Sequence, residues 1–224
     1  MRVPGVVFGL LLSAVASAHL DPELQIADVT RRLQREPGNA VLYLKRGDLH
    51  RSLRRWDLAL SDYDRTAALN PTLAVVDLAR GKTLLEAGRA EHARLALDRF
   101  LGRQPGHPEG LVARAQAQAS LGHFQSALDD YNQALLRHPA PRPEYYLERA
   151  KLQPPGAALR GLDQGIARLG PVVTLELAAI DLDLELRNYD SAVARVDRIA
   201  AQAARRDHWL ARRAEILRLK GVPR

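Results

Sequence analysis

Cysteine is absent from the 224 residues. This excludes a disulfide scaffold, a zinc ribbon, a thiolate nucleophile and a lipid-modified N-terminal cysteine. Aromatic residues are scarce, at two Trp, six Tyr and three Phe. The core must therefore be built mainly from Leu, Ala and Val. No Gly-rich phosphate loop, HExxH helix or EF-hand loop occurs. The run Asp181-Leu182-Asp183-Leu184-Glu185 alternates carboxylates but lacks the glycine of an EF-hand turn. On a helix its Asp181 and Glu185 share a face while Asp183 points away. The seven His residues include no i,i+4 pair, and the scattered carboxylates single out no acid–base pair. No catalytic residue, cofactor site or metal-ligand set is expected, and the chain reads as a non-enzyme.

What is present is an ordinary globular composition with a basic excess. Hydrophobic content of 46% and charged content of 26% argue against wholesale disorder. The 33 Lys+Arg outnumber the 26 Asp+Glu, giving +7 and a pI near 10.1. Net charge of that sign makes nucleic acid or another acidic polymer a candidate partner. However, all the basic residues but Lys45, Lys82, Lys151 and Lys220 are arginine, spread along the chain and usually close to an acid. Arg31-Arg32, Arg54-Arg55, Arg205-Arg206 and Arg212-Arg213 are short runs without interleaved stacking aromatics. Nucleic acid is therefore not the expected partner.

The first eighteen residues read as an export signal. Met1-Arg2 gives a positive start, Val6-Val7-Phe8-Gly9-Leu10-Leu11-Leu12 opens an apolar run, and Ala16-Ser17-Ala18 supplies a small-x-small cleavage pattern. The run is shorter than the ~20 apolar residues a membrane-spanning helix needs. Cleavage after Ala18 is predicted, with a periplasmic or extracellular destination and no integral membrane segment in the mature chain. Removing residues 1–18 takes away one arginine and no acid, so the charge falls to +6. His19 becomes the N-terminal residue, and a terminal His with a free amine can chelate copper when other His residues converge on it. No partner His is identifiable from spacing.

The strongest signal is periodicity. Ala59, Ala93 and Ala127 recur at 34 residues, as do Pro71, Pro105 and Pro139. Gly47, Gly81 and Ala115 share that interval, as do Trp56, Ala90 and Phe124, and Tyr63, Leu97 and Tyr131. Each unit reads as helix, tight turn, helix, turn. Small residues at 47, 81 and 115 let a neighbouring helix approach, and Ala59, Ala93 and Ala127 do the same in the second helix. Tyr43, Trp56, Tyr63, Phe124 and Tyr131 are expected to fill the space between helices. Gly88 and Gly122 fall at the end of the first helix, where a left-handed residue is cheapest. The prolines stop the second helix.

This pattern resembles the tetratricopeptide repeat (TPR), a 34-residue helical hairpin. The resemblance is carried by Tyr43, Gly47, Ala59, Tyr63 and Pro71 in unit one, by Gly81, Ala93 and Pro105 in unit two, and by Ala115, Phe124, Ala127, Tyr131 and Pro139 in unit three. Tyr146-Leu147-Glu148-Arg149-Ala150 echoes Tyr43-Leu44-Lys45-Arg46-Gly47, but Ala158 follows Ala127 by only 31 residues. Unit four thus has a short first helix near Gln153-Pro154-Pro155-Gly156. Ala192 follows Ala158 by 34, and Ala214 follows Ile180 by 34. The units span 40–73, 74–107, 108–141, 142–171 and 172–205, with a half-unit at 206–224. Residues 19–38 form an N-terminal capping helix opened by Asp21-Pro22-Glu23, with Ile26, Val29 and Leu33 as its apolar stripe. The half-unit caps the other end, with Arg212, Arg213, Arg218, Lys220 and Arg224 on its wet side.

The resemblance implies an all-α, right-handed superhelical solenoid of about five antiparallel hairpins plus capping helices over residues 39–224. It also implies a concave groove, lined by the first helices, that binds a peptide or another protein. Helical spacing picks out the stripe. It comprises Val41, Leu44, Lys45, Asp48, Arg51 and Ser52 in unit one, and Val75, Leu78, Lys82, Leu85 and Glu86 in unit two. Val112, Gln116, Ala119 and Ser120 follow in unit three, and Thr174, Leu177, Asp181 and Glu185 in unit five. The candidate peptide contacts are Leu44, Lys45, Asp48, Arg51, Leu78, Lys82, Glu86, Gln116 and Ser120. A plain solvated helix face with i,i+4 pairs such as Lys82–Glu86 is the competing reading. Some family members clamp acidic chaperone tails with Lys and Asn. Leu44 and Asp48 stand at two of those positions in unit one, so the clamp is missing there. The expectation is an exported, bacterial-type, non-catalytic scaffold. The alternatives are an accessory subunit of an envelope enzyme or metal pathway using His19, and a basic nucleic-acid or acidic-polymer binder.

Overall fold

The structure, a computed structural model, describes residues 21–221. The expected export signal, its cleavage after Ala18, His19 and Arg224 lie outside the described residues. Among the described residues there are twelve α-helices and no strand. Two compact bodies are formed, one ending at Pro71 and the other beginning at Thr72.

The first body holds α1 (Pro22–Arg35), α2 (Ala40–Ser52) and α3 (Trp56–Leu69). Asp21 caps α1 by accepting from the Glu23 N–H at 3.0 Å, and Pro22 fills the first turn, where its missing N–H is no loss. Asn39 caps α2 through the Val41 and Leu42 N–H groups at 3.2 and 3.4 Å. Val29 and Leu33 of α1 pack with Leu42 of α2 in one apolar cluster, edged by Tyr43 and Leu49. Where α2 crosses α3, a Cβ built on Gly47 would lie 2.6 Å from Tyr63 Cε1 and 3.2 Å from the Ala59 carbonyl. Glycine lets the ring lie directly against the α2 backbone.

The second body holds α4 (Val75–Glu86), α5 (Ala90–Arg103), α6 (Pro108–Ser120), α7 (Phe124–Arg137), α8 (Pro143–Ala150), α9 (Pro155–Leu169), α10 (Val173–Glu185), α11 (Tyr189–Gln202) and α12 (Asp207–Lys220). Chain neighbours pack on one another, and α4 and α8 also touch the next first helix, α6 and α10. Gly88 and Gly122 take φ of +73° and +78°. This left-handed step closes the first helix and starts the second. Arg54 and Arg187 make the same step at φ 56° and 59°. The first helix of the fourth hairpin, α8, has eight residues. At the C-terminal end Ile216 of α12 is fully buried against Ile180, Val196 and Ile199, so α12 covers the apolar face of α10 and α11.

One expectation needs correction. Phe124 is 55% exposed and does not fill the space between helices. It is the first residue of α7, at the solvent edge of the turn, while Tyr63 and Tyr131, two turns into their helices, carry the packing and are buried. The basic residues of α12 lie at its surface, Arg218 and Lys220 exposed and Arg212 and Arg213 half-buried. Arg212 lies 2.8 Å from Glu215, Arg213 lies 3.1 Å from Asp197, and Lys220 pairs with Asp190.

Candidate functional site

The candidate peptide contacts fall on three first helices. In the first body, α2 carries Leu44, Lys45, Asp48 and Arg51. Leu44 and Arg51 are half-buried, while Lys45 and Asp48 are exposed. Asp48 accepts from the Tyr63 hydroxyl at 2.8 Å, which fixes its carboxylate against α3. Lys45 joins Leu24, Gln25, Ala27, Asp28 and Arg31 of α1 in a cleft of about 450 Å³. Its rim carries Leu24, 61% exposed, and Val41 near the start of α2 is 63% exposed. This is an apolar and charged mixture suited to an amphipathic segment.

In the second body, α4 carries Leu78, Lys82 and Glu86, and α6 carries Gln116 and Ser120. Leu78 is only 9% exposed and belongs to the core, a correction to its place among the candidate contacts. The α4 turn containing Val76, Leu78 and Ala79 is buried on several sides, so period alone misassigns its inner edge. Lys82 is half-buried and its ammonium lies 3.3 Å from Glu109 on α6, a link between successive hairpins. Glu86, Gln116 and Ser120 are exposed, and the Ser120 hydroxyl donates to the Gln116 carbonyl at 2.9 Å.

Glu109 lies outside the expected stripe, yet it gathers three elements. The Tyr145 hydroxyl of α8 donates to it at 2.5 Å, the His138 ring lies 3.4 Å away, and Lys82 approaches from α4. Partial burial pushes this carboxyl up, but the Tyr145 hydroxyl and the Lys82 charge outweigh it and hold the group below its ordinary value. Pro108-Glu109 at a helix start, one turn before the stripe residue Val112, is the sequence signal that marks it.

A second cleft, of about 610 Å³, lies between α10 and α12, lined by Leu177, His208, Trp209, Ala211, Arg212, Glu215 and Arg218. Leu177 is the stripe residue of the fifth hairpin, 41% exposed. Among the described residues no group of three or more His, Asp or Glu side chains is placed to hold a metal ion. None of their helices is long and apolar enough to cross a membrane.

No family model matches the chain, and no curated protein does either. Solved structures do match in fold. PilW, a widely conserved type IV pilus biogenesis factor, superposes with a TM-score of 0.69 at 19% identity, over 81% of this chain and 86% of PilW. YrrB, a TPR protein with an unusual peptide-binding site, gives 0.60 at 16% identity, over 84% of this chain and 97% of YrrB. Yeast Tom70 gives 0.62 at 15% identity over 89% of this chain, which spans only 44% of Tom70. The protein is therefore of the TPR-like helical-solenoid class. The particular chain is similar in fold to PilW, YrrB and Tom70, at identities that establish architecture alone.

Proposed function

We propose that the protein is a non-catalytic scaffold or adaptor that binds another protein or peptide on its first-helix faces, outside the cytoplasm. The observation that carries this reading is the cleft between α1 and Lys45 of α2, where exposed Leu24 sits among Lys45, Arg31 and Asp28. Exposed apolar side chains rimmed by charge mark protein-binding surfaces. YrrB, of the same fold, has a peptide-binding site, which supports the same class of ligand here. Leu44, Lys45, Asp48, Arg51, Lys82, Glu86, Gln116 and Ser120 are the proposed contacts. Residues 1–18 as an export signal, 19–38 as a cap and 39–224 as the repeat array complete the proposal.

Selection from a random peptide library on the full chain tests it. Peptides so obtained are titrated against wild type and a Lys45→Ala/Arg51→Ala/Lys82→Ala variant of unchanged helical content. The expected result is a loss of about 1–3 kcal/mol in affinity. Unchanged affinity would overturn the assignment of the face. N-terminal sequencing of protein recovered from the culture tests the location. A chain beginning at His19 is expected, and retained Met1 contradicts export.

A further inference from the structure

A second ligand site is encoded in the pairing of charges between the two helices of each hairpin. In the first hairpin, Arg46 of α2 grips Asp62 of α3 along one guanidinium edge. Its Nε lies 2.8 Å from one oxygen and its Nη2 2.7 Å from the other. In the third hairpin, Arg114 holds Asp130 through the same two nitrogens at 2.7 and 2.8 Å. In the second hairpin Ala96 takes the acid's place, and Arg80 lies 3.7 Å from Asp77 of its own helix. In the fifth the signs are exchanged, with Asp183 on the first helix and Arg195 on the second, 2.7 Å apart.

The fourth hairpin keeps the arginine and loses the acid. Arg149 stands where Arg46 and Arg114 stand, directly before the small residue of the first helix. Gly161 follows Ala158 by three residues, as Asp62 follows Ala59 and Asp130 follows Ala127. Arg149 is only 7% exposed and makes no ion pair among the described residues. Its Nη1 donates to Asn132 Oδ1 at 3.1 Å. Its Nη2 donates to the Gly161 carbonyl at 3.0 Å and to Gln164 Oε1 at 3.2 Å. Its Nε, half of the edge that grips a carboxylate in the other hairpins, is buried with no partner. Burial pushes this guanidinium below its ordinary value, against a smaller opposing effect of Tyr146. Hydrogen bonds to Asp62 and Asp130 push Arg46 and Arg114 up. A buried cation without an anion is costly, and a supplied anion recovers that cost.

A cleft of about 230 Å³ opens over this group, lined by Asn132, Arg149, Gln153, Arg160, Gly161 and Gln164. Its wall contains a second cation, exposed Arg160. Its volume admits a carboxylate together with the group that carries it. We propose that the α8–α9 cleft binds a carboxylate, whose two oxygens take the place that Asp62 and Asp130 occupy in the other hairpins. Entry displaces the exposed Gln164 amide from Nη2 and lets Arg149 grip the ligand through Nε and Nη2 together, the stronger bidentate geometry. The carboxylate comes from an acidic side chain of a bound peptide or from a free small acid.

The test follows the Arg149 Nε–H resonance of the full chain by NMR at neutral pH and constant ionic strength. The probes are acetate, acetamide, and capped Gly-Asp-Gly and Gly-Asn-Gly tripeptides. The expected result is a saturable shift of the Arg149 signal with acetate and the Asp peptide, and none with acetamide or the Asn peptide. Tighter binding of the Asp peptide than of acetate assigns the site to peptides, and equal binding assigns it to small acids. In Gly161→Asp the chain supplies its own carboxylate, and affinity for both probes falls roughly tenfold or more. A Cβ at Gly161 lies 2.6 Å from Arg149 Nη2, so Arg160→Gln serves as a second variant with an intact backbone, expected to weaken both probes. An Arg149 signal that does not move with either carboxylate, or that moves equally with the neutral analogues, overturns the proposal. Neither result bears on peptide binding beside Lys45, which lies in the first body and is read by the titration above.

Discussion

At the scale of single residues, the buried charges decide more than their number suggests. Asp62 is buried, and Arg46 and His50 both face it, at 2.7 and 4.0 Å. Removing one partner of a buried pair strands the other charge. Asp62→Ala should therefore destabilise the first body by about 2–4 kcal/mol, read by chemical denaturation. The double variant Arg46→Met/Asp62→Leu should recover a large part of that loss. Equal losses in the single and double variants would contradict the pairing. His50 gives a pH test. Burial, assisted by Arg46 and Arg55 against the opposing pull of Asp62, holds its imidazole below the ordinary 6.5. The unfolded chain thus binds the proton first, and the stability that His50 contributes is complete above about pH 6.5. It is lost as pH falls below that value. His50→Leu should flatten the slope of stability between about pH 7 and pH 5. An unchanged slope assigns the pH dependence elsewhere. These charge pairs were poorly legible in the sequence for a physical reason. What is kept from hairpin to hairpin is complementarity, not residue type. Arg46–Asp62 becomes Asp183–Arg195 with signs exchanged, and Arg149–Gly161 has one half missing.

At the scale of elements, the signals with few steric solutions were the legible ones. Gly47 and Gly81 allow close packing, since a Cβ there would lie 2.6 and 2.5 Å from Tyr63 Cε1 and Leu97 Cγ, although buried Ala115 holds the same place in the third hairpin. Gly88 and Gly122 are favoured by their positive φ, a conformation that Arg54 and Arg187 adopt at a cost in the matching turns. A Cβ at Gly88 meets nothing within 4 Å, so Gly88→Ala isolates the backbone term, expected at about 1 kcal/mol of destabilisation. Arg54→Gly, at the matching turn with φ 56°, should be neutral or stabilising by a few tenths to ~1 kcal/mol. Thermal denaturation of the two variants checks both signs, and a stabilising Gly88→Ala would contradict the left-handed turn. Period was less informative where an element is buried on more than one side. Leu78 shares the spacing of a surface stripe, but its helix packs on both α5 and α6, and the side chain is lost to the core. Phe124 shows the reverse. It stands in a column with Trp56 and Ala90, yet as the first residue of its helix it reaches solvent.

At the scale of the whole molecule, fold was far more legible than site. A helical hairpin cannot bury its apolar face alone, so a 34-residue period implies neighbours that cover it. Helix α1 with Val29 and Leu33, and helix α12 with Ile216, close apolar faces at the two ends of the described chain. A binding face has no such constraint. Its residues are exposed and free of packing demands, so the same positions fit a ligand contact or a solvated helix. Lys82 illustrates this, since it also reaches Glu109 on the next hairpin. The central claim is that first helices carry the ligand. Hydrogen–deuterium exchange of the full chain, with and without a library-selected peptide, tests it most directly. Added protection should fall on α2 around Lys45 and on the α1 residues that line the same cleft. Protection confined to the second helices α3, α5 and α7 would contradict the account.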